Sequence, residues 1–184
     1  MNASAPELTT KRLHLRRLTE ADAGLMLAIW NDPSFIRHVF DRGIRSEEAA
    51  LKAMREGVLK HYADHGFGPY RLSLRADDAD VGICGLLKRD NLEHPDIGYA
   101  LLPDYRRQGY ALEAARCIVA HAGADMNLRK ISAIVSPGHK RSIALLEKLE
   151  MVRNGTVRMP GDDEDILLFE MDLVDVQRGS RAPQ

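Results

Sequence analysis

The stretch that most restricts what this chain can fold into is Asp96-Ile97-Gly98-Tyr99-Ala100-Leu101-Leu102-Pro103-Asp104-Tyr105-Arg106-Arg107-Gln108-Gly109-Tyr110-Ala111-Leu112-Glu113-Ala114. The apolar run to Leu102 predicts a strand, and Pro103 ends it. A short loop with two arginines follows, and a helix opens on the small residues Gly109 and Ala111. The first turn of a helix carries unpaired N–H groups and the positive end of the dipole, which together favour phosphate. Gly109 lets backbone come close to an oxyanion, and Arg106 and Arg107 add positive charge. The stretch therefore reads either as a pyrophosphate cradle or as an ordinary strand-to-helix turn with a solvated arginine pair. It is neither a Walker loop, lacking Gly-Lys-Ser/Thr, nor a dinucleotide fingerprint, lacking Gly-x-Gly-x-x-Gly.

Around this stretch the apolar periodicity alternates between strand and helix. Strands are predicted near 13–18, 70–75, 81–88, 97–102, 131–135, 151–159 and 166–173. Helices are predicted from Thr19 to the stop at Asn31-Asp32-Pro33, from the Ser46-Glu47-Glu48 cap to Gly66, from Gly109 to Met126, and over Arg141–Leu149. This order implies an α+β (mixed α/β) class with a mixed sheet. A single domain over 1–174 is expected, with a frayed tail at 175–184.

Charge and composition exclude several functions. Lys and Arg total 26 against 27 Asp and Glu, so no broad basic surface exists for nucleic acid. No apolar run reaches the roughly 18–20 residues that span a bilayer. The N-terminal Met-Asn-Ala-Ser-Ala-Pro-Glu lacks the apolar core of a signal peptide, which predicts cytoplasmic residence. Cys84 and Cys117 lie in apolar stretches and read as small buried hydrophobes, not as a disulfide. His61 and His65 are four apart on a helix, but no third ligand is placed, so no metal is expected.

Arg106-Arg107-Gln108-Gly109-Tyr110-Ala111 resembles the Arg/Gln-x-x-Gly-x-Gly/Ala signature of the GNAT superfamily of acyl-CoA N-acyltransferases. The flanking Ile-Gly-Tyr and Leu-Glu-Ala-Ala, the opening Thr10–Arg16, the strand Val81–Leu86 and the helix segment Ser136–Leu149 resemble its RimJ/RimL-like branch, the ribosomal-protein N-terminal acetyltransferase type. The resemblance implies a central, mixed, mostly antiparallel seven-stranded sheet flanked by about four helices, with the fourth and fifth strands splayed. It implies transfer of acetyl from acetyl-CoA to a primary amine, either a protein N-terminus or a small amine such as an amino acid, polyamine or aminoglycoside. Homodimers occur among such relatives.

Residue roles follow from the same resemblance. Leu101 and Leu102 would bond the pantetheine arm through backbone, and Arg106, Arg107, Gln108, Gly109, Tyr110 and Ala111 would hold the pyrophosphate. Asp96 is the first candidate for general base, in strand phase with Gly98, Ala100 and Leu102. Glu93 and His94 just upstream are the second choice of base, with His94 otherwise a surface loop histidine near the acceptor, and Trp30 either walls the acceptor pocket or belongs to the core. Ser142 would face the departing thiolate, while Leu146 stands where many members carry a tyrosine acid. His139 replaces an asparagine that contacts pantetheine or caps the helix, and Glu150 replaces a helix-ending glycine. These two departures keep a non-catalytic acyl-CoA sensor open beside the enzyme. The acidic run Asp162–Asp165 reads as a hairpin tip that either is solvated or attracts a cationic acceptor.

Overall fold

The computed structural model describes residues 6–160 and 163–173. Its strands are β1 (Leu8–Thr9), β2 (Leu13–Arg17), β3 (Pro69–Leu74), β4 (Asp80–Leu87), β5 (Asp96–Leu101), β6 (Lys130–Val135), β7 (Val152–Arg158) and β8 (Asp165–Asp172). They form one sheet in the order β1-β2-β3-β4-β5-β6-β8-β7. Every pairing is antiparallel except β5 with β6. The expected α+β class holds, but the sheet has eight strands instead of seven. The addition is the two-residue β1, too short to leave a periodic signal in the sequence. The tail expected at 175–184 and residue 162 of the acidic turn lie outside the described residues.

Helices cover both faces. On one face lie α1 (Ala23–Trp30), α2 (Pro33–His38), α3 (Glu47–Met54) and α4 (Lys60–His65). Their core joins Leu18, Met26, Ile29, Trp30, Met54 and Tyr62. On the other face α5 (Tyr110–Ala124) and α6 (Lys140–Lys148) close a larger core with Leu13, Leu72, Ile97, Ile118 and Phe169. Each such leucine or isoleucine, buried completely, contributes about 2 kcal/mol from lost apolar surface.

Two local features depart from the sequence expectation. Asn31-Asp32-Pro33 ends α1 as expected, but it also starts α2, which the sequence reading left out. Asp32 Oδ1 accepts from the Ser34 and Phe35 amides at 2.9 and 3.1 Å, and Pro33 occupies the first helical position, where its missing N–H costs nothing. The long helix from Ser46 to Gly66 is also not uniform. The Ser46 hydroxyl caps it by accepting from the Ala49 amide at 3.2 Å, and Gly66 ends it at φ 79°. Between α3 and α4, residues Arg55–Leu59 form one π-helical turn. Beyond that turn, the Tyr62 hydroxyl accepts from the Leu18 amide at 3.0 Å and donates to the Pro69 carbonyl, tying the helix to the sheet.

Glu150 follows α6 with φ 64°, in the region that glycine enters freely and other residues enter at a cost.

The sheet is incomplete at its centre. β4 and β5 are paired along six positions, from Gly82↔Leu101 to Leu87↔Asp96. β5 and β6 meet at one position, Asp96↔Ser132, and then diverge. Because the two strands are parallel, the gap opens toward their C-terminal ends, at Leu101 and Val135.

Candidate active site in the gap between two parallel strands

The gap leaves backbone hydrogen-bonding groups of β5 without a strand partner. The Leu102 amide donates to the Val81 carbonyl at 2.9 Å, so it faces β4. Alternation along an antiparallel ladder then turns the backbone groups of Tyr99 and Leu101 to the gap. Leu102 packs on the α1 side and does not line the gap.

A cavity of about 510 Å³ passes through this opening. It is within the usual size of small-molecule sites. Of the residues singled out in the sequence, Leu101, Arg106, Arg107, Gly109, Tyr110 and Ala111 line it. So do His139 and Ser142 from the far side. Gln108, Leu102, Asp96, His94 and Trp30 do not.

The loop after β5 is tightly bent. Arg107 has φ 62° and Gly109 φ 84°, and α5 starts at the next residue. A Cβ on Gly109 would come within 3.3 Å of the Arg12 guanidinium. Arg12 is fixed there by Glu113 (Nε to Oε2, 2.7 Å), by the Gln108 carbonyl at 2.9 Å, and by stacking over Tyr110 at 4.3 Å. Thr10 donates to the same carboxylate at 2.6 Å. Burial opposes ionisation of Glu113, but the bonds from Thr10 and Arg12 outweigh it and hold its carboxyl below the ordinary range. The first-turn amides of α5 thus open beside an ordered Arg12–Glu113 pair and the cavity-lining Arg107, a donor set that suits a pyrophosphate.

The two arginines of the loop behave differently. Arg106 turns inward: its Nε and Nη2 reach the Leu101 carbonyl at 3.0 and 2.8 Å, and Nη2 lies 2.7 Å from Asp32 Oδ1. Only its Nη1 remains uncommitted to these partners. Arg107 has no such bond among the described residues. The Gln108 side chain bonds the Asp104 carbonyl at 2.8 Å.

Across the gap, the Ser142 hydroxyl lies 2.7 Å from the Tyr99 hydroxyl. Burial pushes the Tyr99 phenol up to about 12, with the Ser142 bond working the other way. Tyr99 carried no assigned role in the sequence reading, and it sits in the quoted Ile-Gly-Tyr. Leu146 is 1% exposed and belongs to the core. His139 stands at the N-terminus of α6 and stacks on His38 of α2, centroids 4.0 Å apart and planes within 5°. Burial first, then His38, Arg141 and Arg106, push the His139 imidazole down to about 4, so it is neutral near pH 7.

Asp96 lies at the closed end of the gap, 2% exposed, with the Arg89 Nε 2.9 Å from its Oδ1. Burial pushes its carboxyl above the ordinary range, against the charge and hydrogen bond of Arg89. Gly98 and Ala100 follow on the same face, and a Cβ at Gly98 would meet nothing within 4 Å. Of this face, Ala100 lines the cavity and Asp96 does not. His94 lies on the loop before β5, its imidazole 3.7 Å from Glu93, and its carbonyl accepts from the Ser132 hydroxyl. Trp30 is 5% exposed in the helical core, and Arg42 stands 4.9 Å over its ring. Its neighbour Ile29 reaches the cavity instead. Among the described residues no three His, Cys, Asp or Glu side chains converge as metal ligands, and no helix is long and apolar enough to cross a membrane.

Comparison with known proteins follows the same lines. The profile of the acetyltransferase (GNAT) domain matches residues 12–152. YnaD of Bacillus subtilis, described as an uncharacterized N-acetyltransferase, is 30% identical over 148 residues, covering 80% of this chain and 84% of its own. An acetyltransferase of Agrobacterium tumefaciens str. C58 has a similar structure, with TM-score 0.77 and 24% identity over 92% of this chain and 95% of its own. RimL, a ribosomal L7/L12 α-N-protein acetyltransferase solved in complex with coenzyme A, matches with TM-score 0.76 and 15% identity, over 91% of this chain and 98% of its own. At these identities the two structures show a shared fold.

Proposed function

The chain belongs to the GNAT acetyltransferases, acetyl-CoA-dependent N-acetyltransferases, and on that footing we propose that it acetylates a primary amine, with the α-amine of a protein N-terminus as first choice. The observation that carries the reading is the splayed β5–β6 gap, which has the bent Gly109 loop at its mouth and is bridged by the Tyr99–Ser142 pair. The preference for a protein N-terminus rests on the likeness to RimL and to the ribosomal-protein-S5-alanine acetyltransferase of Vibrio fischeri.

Acetyl-CoA supplies a thioester carbonyl already activated toward an amine. The residues of this chain do the rest. The amides of Arg107 to Ala111 hold the pyrophosphate, with Arg106 reaching it only through Nη1. The gap-facing backbone of Tyr99 and the amide of Leu101, whose carbonyl Arg106 already holds, receive the pantetheine arm as a strand would be received. Leu102 supports that edge from the α1 side, and Gln108 fixes the loop through Asp104. His139 packs beside the arm.

An α-amine titrates near 7.7–8.0, so a useful fraction is neutral near pH 7 and a modest base suffices. Asp96 is that base. Its raised carboxyl accepts a proton more readily than a solvated aspartate, and the open space above Gly98 admits a bridging water. Ser142 donates where negative charge develops on the leaving sulfur, and Tyr99 orients that hydroxyl. His94 belongs to the acceptor side, Trp30 supports that wall from the helical core behind Ile29, and the free thiols Cys84 and Cys117 suit a cytoplasmic setting.

Thiol release from acetyl-CoA should be measured against peptides with free α-amines, amino acids, polyamines and aminoglycosides. Turnover on the peptides supports the proposal, and turnover confined to one small-amine class replaces the acceptor. Tight CoA binding with no turnover on any amine favours a sensor. No CoA binding at all sinks every acyl-CoA reading.

A further inference from the structure

Helix α2 is six residues long and none of them is fully buried, so packing alone holds it weakly. Its two ends nevertheless meet the two loops that border the gap. At its start, Asp32 is 7% exposed, and its Oδ1 caps the helix and also lies 2.7 Å from the Nη2 of Arg106, in the loop after β5. Arg106 is anchored in turn by the Leu101 carbonyl, the last residue of β5. At its end, His38 stacks face to face on His139, in the loop after β6. β5 and β6 are parallel and diverge toward those loops, so a helix fastened to both lies across the open end of the gap. At about 1.5 Å per residue, the six steps from Asp32 to His38 cover about 9 Å, the scale of two sheet spacings. Ser34, Phe35, His38 and Val39 face the cavity from this crossbar.

We propose that Arg106 and His139 are positioning residues that fasten α2 across the mouth of the β5–β6 gap, so that one wall of the cavity is held by the same loops that border the acyl-CoA site. The coupling to CoA rests on the function proposed above. The fastening itself does not. Removing Arg106 leaves the buried Asp32 carboxylate without its counter-charge, a change that loosens the start of α2 without removing the helix's own cap. Removing His38 frees only its end.

Amide hydrogen exchange of residues 34–39 in the full chain, with and without CoA, tests this beside CoA titration calorimetry. Arg106→Gln should speed exchange at Ser34–Ile36 at least about tenfold in the CoA-free protein, whatever it does to CoA affinity. His38→Ala should speed exchange at the far end, and Arg106→Lys should restore part of the protection. In the parent protein CoA should slow exchange across α2, and Arg106→Gln should lose that effect while still binding CoA. If Arg106→Gln weakens CoA tenfold or more and leaves α2 exchange unchanged, Arg106 is a phosphate ligand and the proposal is overturned. Unchanged exchange in His38→Ala overturns the second fastening, and that variant also serves if Arg106→Gln does not fold. If the parent protein binds no CoA, the function proposed above fails, while exchange in ligand-free variants still reports on the fastening.

Discussion

The hydroxyl of Tyr99 on β5 and the hydroxyl of Ser142 on α6 share a 2.7 Å hydrogen bond across a gap that no strand fills. The two residues come from opposite walls of the cavity, so each sets where the other points. Ser142→Ala should lower kcat by about a hundredfold, the scale of losing one donor to developing charge, with CoA affinity nearly unchanged. Tyr99→Phe should cost less, about tenfold, because Ser142 keeps its donor and loses only its orientation. Equal loss of CoA binding in both variants would argue for a purely structural pair.

Gly109→Glu should abolish CoA binding in calorimetry. The position has φ 84°, a new Cβ would crowd Arg12, and a carboxylate would sit where phosphate charge is expected. Affinity that survives the change would place the pyrophosphate elsewhere.

Asp96→Asn should lower kcat by at least about tenfold and remove the acid limb of the kcat/KM profile, because the amide cannot take a proton. Stability should not fall, because burial costs the Asp96 charge more than Arg89 returns and the half-exposed Arg89 remains solvated without it. A profile that keeps its acid limb would remove Asp96 from the chemistry.

His139 couples stability to pH. Its imidazole lies near 4 when folded and about 6.5 when unfolded, so between those values the unfolded chain binds a proton that the folded chain does not. This contribution is whole above about 6.5 and is lost as pH falls toward 4. Urea midpoints at about pH 7 and about pH 5 should therefore differ less in His139→Asn than in the parent protein. Identical differences would mean that His139 carries no such linkage.

Glu150→Gly should raise stability by about 0.5–1 kcal/mol, because glycine takes the left-handed conformation after α6 without steric cost. Urea denaturation measures it directly. A loss of stability would show that the Glu150 side chain contributes more than its backbone costs.

Legibility in the sequence followed distance along the chain. The Ser46 cap, the Gly66 stop and the strand-to-helix turn at Gly109 rest on neighbouring residues, and the structure has all three. Asn31-Asp32-Pro33 was legible as a stop but not as a start, because α2 is too short to show a period. The direction of Arg106 was illegible: its partner Asp32 lies on the far side of three strands and three helices in sequence, and nothing local distinguishes it from Arg107. Tyr99 and Ser142 are 43 residues apart, so their bond appears only once β5 and α6 face each other. Thr10, Arg12 and Glu113 pair over about a hundred residues for the same reason.

The π-helical turn at Arg55–Leu59 bears on how this chain can change in length. In a regular helix, Met54 and Tyr62, eight residues apart, would point about 80° away from each other at roughly 100° per residue. Both are buried in the same core, and the wider π turn brings them nearer to one face than eight regular steps would. The turn absorbs one surplus residue. Deleting a residue such as Gly57 would convert it to ordinary helix with Met54, Tyr62 and the Tyr62 link to Leu18 still in register. The segment is therefore a place where the chain can be shortened without the sheet or the gap beside it registering the loss.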